Sequence, residues 1–287
     1  MLEMLLSPRK AEREPWTMFF VGLIYASLSI GLVQWIFSGD VVLSKYSGIL
    51  VVTFSVMFTL PFMYYLIKDE EEKDIEYEGM LRILKEHEKA LFSLLFLFMG
   101  FIVAFSFFYI ILSSPQSFRA QIETYCLINR PSNFQECVEQ YGVKSSGKLV
   151  STGYSTATER VFMIFTNNIY VLIFTLVFSI IFGAGAIFVL AWNASVIAAA
   201  VGIYSRASLS NLFLGIARYM IHGIPEIAAY FIGAMAGGIV SVAIIRHDTR
   251  TEKFWTILQD ALNLIILAVI ILFIAALIEI FITPALF

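Results

Sequence analysis

From Val161 to Ser205 the chain carries no charged residue. A straight helix over that stretch would be roughly 65 Å long at about 1.5 Å per residue, about twice a bilayer's hydrocarbon core. It must fold back inside a membrane, and Gly183-Ala-Gly185 near its centre supplies the turn. This predicts a fourth span over 161–182 and a fifth over 186–204. The same length test predicts a first span over 17–37, a second over 47–67, a Phe-rich third over 91–112 and a last over 257–283. The segment 207–245 is too long for a single crossing. Gly223 and Pro225 are expected to break it into a short half-helix and a full-length helix. Composition agrees: 59% of residues are hydrophobic and 14% charged, against about half and about a quarter in soluble domains. The fold class is all-α, a polytopic transmembrane helical bundle of about seven spans.

Two parts are expected. Residues 1–90 hold two N-terminal spans and a charged cytoplasmic segment; residues 91–287 hold the membrane core with an external loop at 113–160. Arg9, Lys10 and Arg13 precede an apolar run that is too long for a signal peptide and lacks a small-residue cleavage site. It reads as a retained helix. The segment 68–89 mixes acidic and basic residues, as a short solvated surface helix does. The net charge of −3 says little in itself, and no basic patch points to nucleic acid as a partner. The basic residues Arg9, Lys10, Arg13, Lys68, Lys73, Arg82, Lys85, Lys89, Arg246, Arg250 and Lys253 gather on one side of the bundle. Lys45, Arg206 and Arg218 fall on the other, with five more spread thinly along the loop. The positive-inside rule then puts the N-terminus in the cytoplasm and the C-terminus and loop 113–160 outside, in a plasma membrane.

Within that loop, Phe118, Ile122 and Tyr125 recur at helical spacing, as do Phe134, Cys137, Val138 and Tyr141. Arg130-Pro131-Ser132-Asn133 reads as the turn of a short helical hairpin. Ser132 with Gln135 is a candidate capping box. Cys126 and Cys137, the chain's two cysteines, flank the turn, and an external position favours a disulfide between them. The Ser/Thr/Gly-rich stretch 145–158 is expected to be irregular.

Polar residues at membrane depth carry the functional reading, because hydrocarbon penalises them. Counting about 1.5 Å per residue puts Asn167, Asn168, Glu226 and Glu279 in the outer half and Asn193 near mid-membrane. Arg218 and His222 precede the expected break. These seven residues form a candidate polar cluster beneath the external loop. One reading is a small cavity holding a ligand, ion or partner segment. The other is structural: Arg218 pairs with Glu226 or Glu279, and the asparagines cap or bridge helices. His222 and Glu226 would share a face only on a continuous helix, so the expected break argues against a metal site. No cofactor is implied.

Ala229, Gly233, Gly237 and Ser241 form a small-residue stripe on the sixth span, and Ala194, Ala198 and Gly202 another on the fifth. Packing of these two helices within one chain is expected; dimerisation, giving a homo-oligomer, is the alternative. Catalytic signatures are missing: there is no HExxH and no GxSxG. Gly142-x4-Gly147-Lys148 ends in Leu149 where a phosphate-binding loop needs Ser or Thr. Asn193-Ala-Ser195 has glycosylation spacing but lies in the membrane.

Taken in order, Asn167-Asn168, Gly183-Ala-Gly185, Trp192-Asn193 and His222-Gly-Ile-Pro-Glu226 followed by Gly237 resemble the stage II sporulation protein M family of integral membrane proteins. The resemblance runs from about Leu91 to the C-terminus. It implies a five-helix core with an external loop after the first core helix. The two leading helices are additional, and Ala194 stands where many relatives have Gly. The N-terminal segment and extra helices look most like archaeal members. In spore formers the namesake resembles a scaffold for cell-wall hydrolases, but relatives are widespread in cells that never sporulate. The expected function is a non-enzymatic scaffold or component of a membrane complex, with the lipid bilayer and proteins bound through the external loop as partners. The alternatives are a transporter or lipid-handling protein and, third, an intramembrane hydrolase.

Overall fold

The computed structural model describes residues 11, 13–40, 42–74, 80–112, 115–129, 133–143, 156–182, 186–205, 212–245 and 252–286. Among them there is no strand, and the fold is an all-α bundle. Helix α1 (Thr17–Phe37) leads through a short turn of 3-10 helix into α2 (Ser47–Asp74), then α3 (Met80–Leu112). An extramembrane hairpin follows, α4 (Arg119–Asn129) and α5 (Phe134–Gln140). Helices α6 (Ala157–Phe182), α7 (Ala186–Ser205), α8 (Leu212–Ile245) and α9 (Glu252–Leu277) complete the bundle. A π-helical turn (Ile278–Ile282) joins α9 to a final turn, α10 (Thr283–Leu286). Seven of these helices are long and apolar enough to cross a membrane.

Such helices are apolar all round, so burial separates the central ones from the peripheral ones. Helices α8, α7 and α3 are the most enclosed, and α6 and α9 the least. Phe98, Phe101 and Phe105 of α3 are fully buried and form the thickest part of the core. Helix α1 approaches α3 through glycine. A Cβ on Gly22 would stand 2.4 Å from Leu97 O, and one on Gly100 2.2 Å from Phe19 O. Lipid tails are as apolar as leucine, so this close backbone approach, rather than water exclusion, holds the pair together.

Two expectations fail. The predicted break at Gly223–Pro225 is absent: α8 runs through both residues from Leu212 to Ile245. Proline removes one ladder donor, and surrounding helices in a membrane tolerate this where water would compete for the freed carbonyl. The charged segment is not a separate surface helix, because α2 continues past Lys68 to Asp74 and α3 starts at Met80. The fifth and sixth spans do pack within the chain, with Gly215 of α8 against Val201 and Tyr204 of α7, but the tightest approaches of the α8 stripe are to another helix. A Cβ on Gly233 would strike Leu172, and one on Gly237 would lie 2.7 Å from Leu176 O and 2.8 Å from Ser179 Cβ, all on α6. Gly202 on α7 instead receives the ring of Tyr109 from α3. The stripe of α8 therefore serves α6.

The Gly183-Ala-Gly185 turn, the Arg130–Ser132 part of the hairpin turn, most of the stretch 145–158, and Arg9, Lys10, Arg206, Arg246 and Arg250 lie outside the described residues. So does Ser132 of the candidate capping box; Asn133 precedes α5 without a side-chain cap bond. A reciprocal box does open α6. Thr156 N–H donates to Glu159 Oε2 at 3.0 Å, and Glu159 N–H to Thr156 Oγ1 at 3.2 Å.

Candidate functional site

Because α8 is continuous, Arg218, His222, Glu226 and Tyr230 follow one another at four-residue steps along one slowly turning stripe. The two lower rungs share one neighbour, and the two upper rungs each meet another. Lowest, the buried Tyr230 hydroxyl donates to Asn168 Oδ1 of α6 at 3.0 Å. The same amide's Nδ2 donates to Glu226 Oε1 at 2.7 Å. Asn168, itself 6% exposed, thus takes one bond from α8 and returns one to it, four residues apart. The amide presents its nitrogen to Glu226 and its oxygen to the phenol.

One turn further on, His222 Nδ1 stands 3.3 Å from Thr283 Oγ1. Thr283 in turn donates to Ile278 O at 3.2 Å, across the π turn. That widened turn carries Glu279, a second half-buried carboxyl close enough for its field to reach Glu226. Arg160, at the start of α6, is the cation whose field falls on Glu279. Arg218 has no carboxylate at ion-pair distance among the described residues, so the expected pairing with Glu226 or Glu279 is not made. Its guanidinium lies over the Tyr204 ring of α7, 5.8 Å from the centroid.

Of the seven predicted residues, five face one region: Asn168, His222, Glu226, Glu279 and, at its edge, Arg218. Asn193 does not join them; its Nδ2 donates to Val189 O of its own helix at 2.8 Å. Asn167 is exposed on the opposite flank of α6. The continuous helix removes the argument that kept His222 and Glu226 off one face. Their side chains nevertheless engage different elements, α10 and α6. Among the described residues no three metal-ligating side chains gather.

The hairpin closes the bundle above this ladder. Cys126 and Cys137 are joined by a disulfide, with Cα atoms 5.8 Å apart. Tyr125 packs edge-on against Tyr141 and lies beside Tyr219, the neighbour of Arg218 on α8. Gln121, 1% exposed, enters the bundle itself. Its Nε2 donates to Gly48 O at 2.9 Å and to Ser195 Oγ at 3.2 Å, tying α4 to the start of α2 and the middle of α7. Gln34 of α1 donates to Ser117 beside it. Sequence reasoning missed Gln121, although it falls on the stripe of Phe118, Ile122 and Tyr125. It also missed Tyr230, which the four-residue step from Glu226 points to.

The arrangement is a hydrogen-bonded clamp between α6 and α8, with a histidine and a second carboxyl stacked above it. Its one hydroxyl–imidazole contact among the described residues, Thr283 with His222, has the Thr283 hydroxyl donating to Ile278 O. Neither a curated protein nor a solved structure matches the chain. The family model described as Stage II sporulation protein M matches residues 90–284, from the middle of α3 through α10 and across both the clamp and the hairpin. This chain belongs to the stage II sporulation protein M family.

Proposed function

We propose that the protein is a non-enzymatic scaffold within a membrane complex, docking a protein partner on its disulfide-closed hairpin. The supporting observation is the Tyr230–Asn168–Glu226 chain of bonds. The costliest polar groups of the bundle answer one another across α6 and α8, as groups that fix a fold do, instead of converging on an open cavity. The hairpin's inner face is likewise engaged, with Phe118, Gln121, Ile122 and Cys126 buried, while Leu127 and Ile128 stand 47% exposed on its outer side. In this reading the membrane is the plasma membrane, the N-terminus is cytoplasmic, and the C-terminus and hairpin are outside. That orientation would put most basic residues of the sequence on the cytoplasmic side and the disulfide in a compartment where such bonds persist.

Affinity purification from gently solubilised membranes tests this. A stoichiometric partner that is retained by the parent and lost from Leu127→Glu/Ile128→Glu supports the scaffold. Recovery of the bare protein under all conditions, together with ion, solute or lipid flux in reconstituted vesicles that disappears with Glu226→Ala, overturns it in favour of transport.

A further inference from the structure

Asn167 and Asn168 are adjacent on α6, and a helix turns about 100° between neighbours. Asn168 faces α8 and uses both ends of its amide. Asn167 is exposed and has no hydrogen-bond partner among the described residues. It lies seven residues beyond Arg160, about 10 Å into the apolar part of the span. Hydrocarbon offers an amide no partner, so one left facing lipid at that depth is disfavoured.

The position of Asn167 has a register. Met163, Asn167, Tyr170, Phe174, Val177 and Ile181 follow one another at alternating steps of four and three residues, the repeat of a seam between two supercoiled helices. All but Met163 are exposed, on the span that the rest of the chain covers least. Phe162, Thr166, Asn167 and Tyr170 line an open groove of about 590 Å³ at its outer end.

Two copies inserted with the same topology can pair only with α6 parallel to α6. A two-fold axis along the membrane normal then sets each seam residue opposite itself at the same depth. A carboxylate or ammonium there would face its own charge. An amide, both donor and acceptor, gives one bond and takes one, and a lone Asn in an otherwise apolar seam fixes register and pairs two helices. We propose that two copies of this chain associate through α6 as a parallel two-fold dimer, with the Asn167 amides hydrogen-bonded across the axis. This does not depend on the scaffold reading.

Subunit counting by single-molecule photobleaching over a dilution series in lipid tests it, alongside copper-phenanthroline cross-linking of single-cysteine variants in native membranes. The expected result is two-step bleaching for the parent and an approximately tenfold higher dissociation constant for Asn167→Ala, the combined effect of two modest interhelical bonds. Tyr170→Cys and Phe174→Cys should cross-link strongly, and exposed positions away from the seam, Ile173→Cys on α6 and Phe20→Cys on α1, weakly. The parent without an added cysteine controls for Cys126 and Cys137. Asn167→Ala removes a side chain with no described partner in its own chain, and unchanged thermal unfolding verifies that the fold survives. One-step bleaching of the parent at every density overturns the proposal. So does a dimer insensitive to Asn167→Ala, equal cross-linking off the seam, or a different protein cross-linked at Tyr170→Cys.

Discussion

Asn168 of α6 and Glu226 of α8 share a hydrogen bond of 2.7 Å between two membrane helices, and the same asparagine accepts from Tyr230 one turn along. A single amide therefore satisfies two polar groups that hydrocarbon would otherwise penalise. Its loss is more serious than the loss of either partner, because it strands both.

Removing the amide should show this ranking. Asn168→Ala leaves Glu226 and Tyr230 unpaired and should lower stability by about 2–3 kcal/mol, whereas Tyr230→Phe removes one bond and no more than about 1 kcal/mol. Thermal unfolding of the purified proteins in one detergent measures both. Equal midpoints for the two variants would show that Asn168 does not bridge them.

The spans were legible because crossing length depends only on a run of apolar residues, and the ends of α1 follow that run. The helix α8 was misread at Gly223 and Pro225 because breaker rules describe backbone in competition with water, which membrane interiors lack. Asn167 and Asn168 could not be told apart, since only packing decides which of two neighbours faces inward. The small-residue stripe of α8 was visible, but its partner was not. Gly233 and Gly237 specify a close approach without saying which helix makes it. Gln121 was passed over because a polar residue on an apolar stripe is read as solvent-facing unless Gly48 and Ser195 are seen to receive it.

The loop between α1 and α2 has its own pH dependence. Asp40 accepts from the backbone N–H groups of Leu43 and Val42, both at 2.8 Å, and these bonds hold its carboxyl below the usual range. A lowered folded pKa means that its stabilisation is present above the unfolded value of about 4 and is lost as pH falls through the folded one. Amide exchange at Val42 and Leu43, corrected for intrinsic rates, should lose protection through that window. Asp40→Ala should show the acid behaviour at neutral pH and Asp40→Asn less of it. Protection that is flat with pH would count against this role.

Gly237 should be the least replaceable position of the α6–α8 contact. Its missing side chain admits Leu176 O and Ser179 Cβ, and backbone cannot move aside as a rotamer can. Gly237→Ala should cost about 1–3 kcal/mol. Gly31→Ala, where nothing lies within 4 Å, should be neutral or gain up to about 1 kcal/mol from helix propensity. Comparing unfolding midpoints of the two checks the helix contact; a neutral Gly237→Ala would mean that α6 sits elsewhere.

The hairpin is held at two points of different chemistry, and these should fail separately. The Cys126–Cys137 bond closes a short loop, and replacing both cysteines with serine should cost about 2–3 kcal/mol on the chain-entropy scale. Gln121 anchors α4 to Gly48 and Ser195 inside the bundle, so Gln121→Ala should cost about 1–3 kcal/mol by leaving the Gly48 carbonyl without its side-chain donor. Limited proteolysis of intact protein in membranes distinguishes the two. Loss of the disulfide should expose α5 to cleavage while α4 stays docked, and loss of Gln121 should release α4 with the disulfide still visible as faster migration on a non-reducing gel. If Gln121→Ala leaves cleavage unchanged, the disulfide and the apolar contacts of Phe118 and Ile122 hold the hairpin without it.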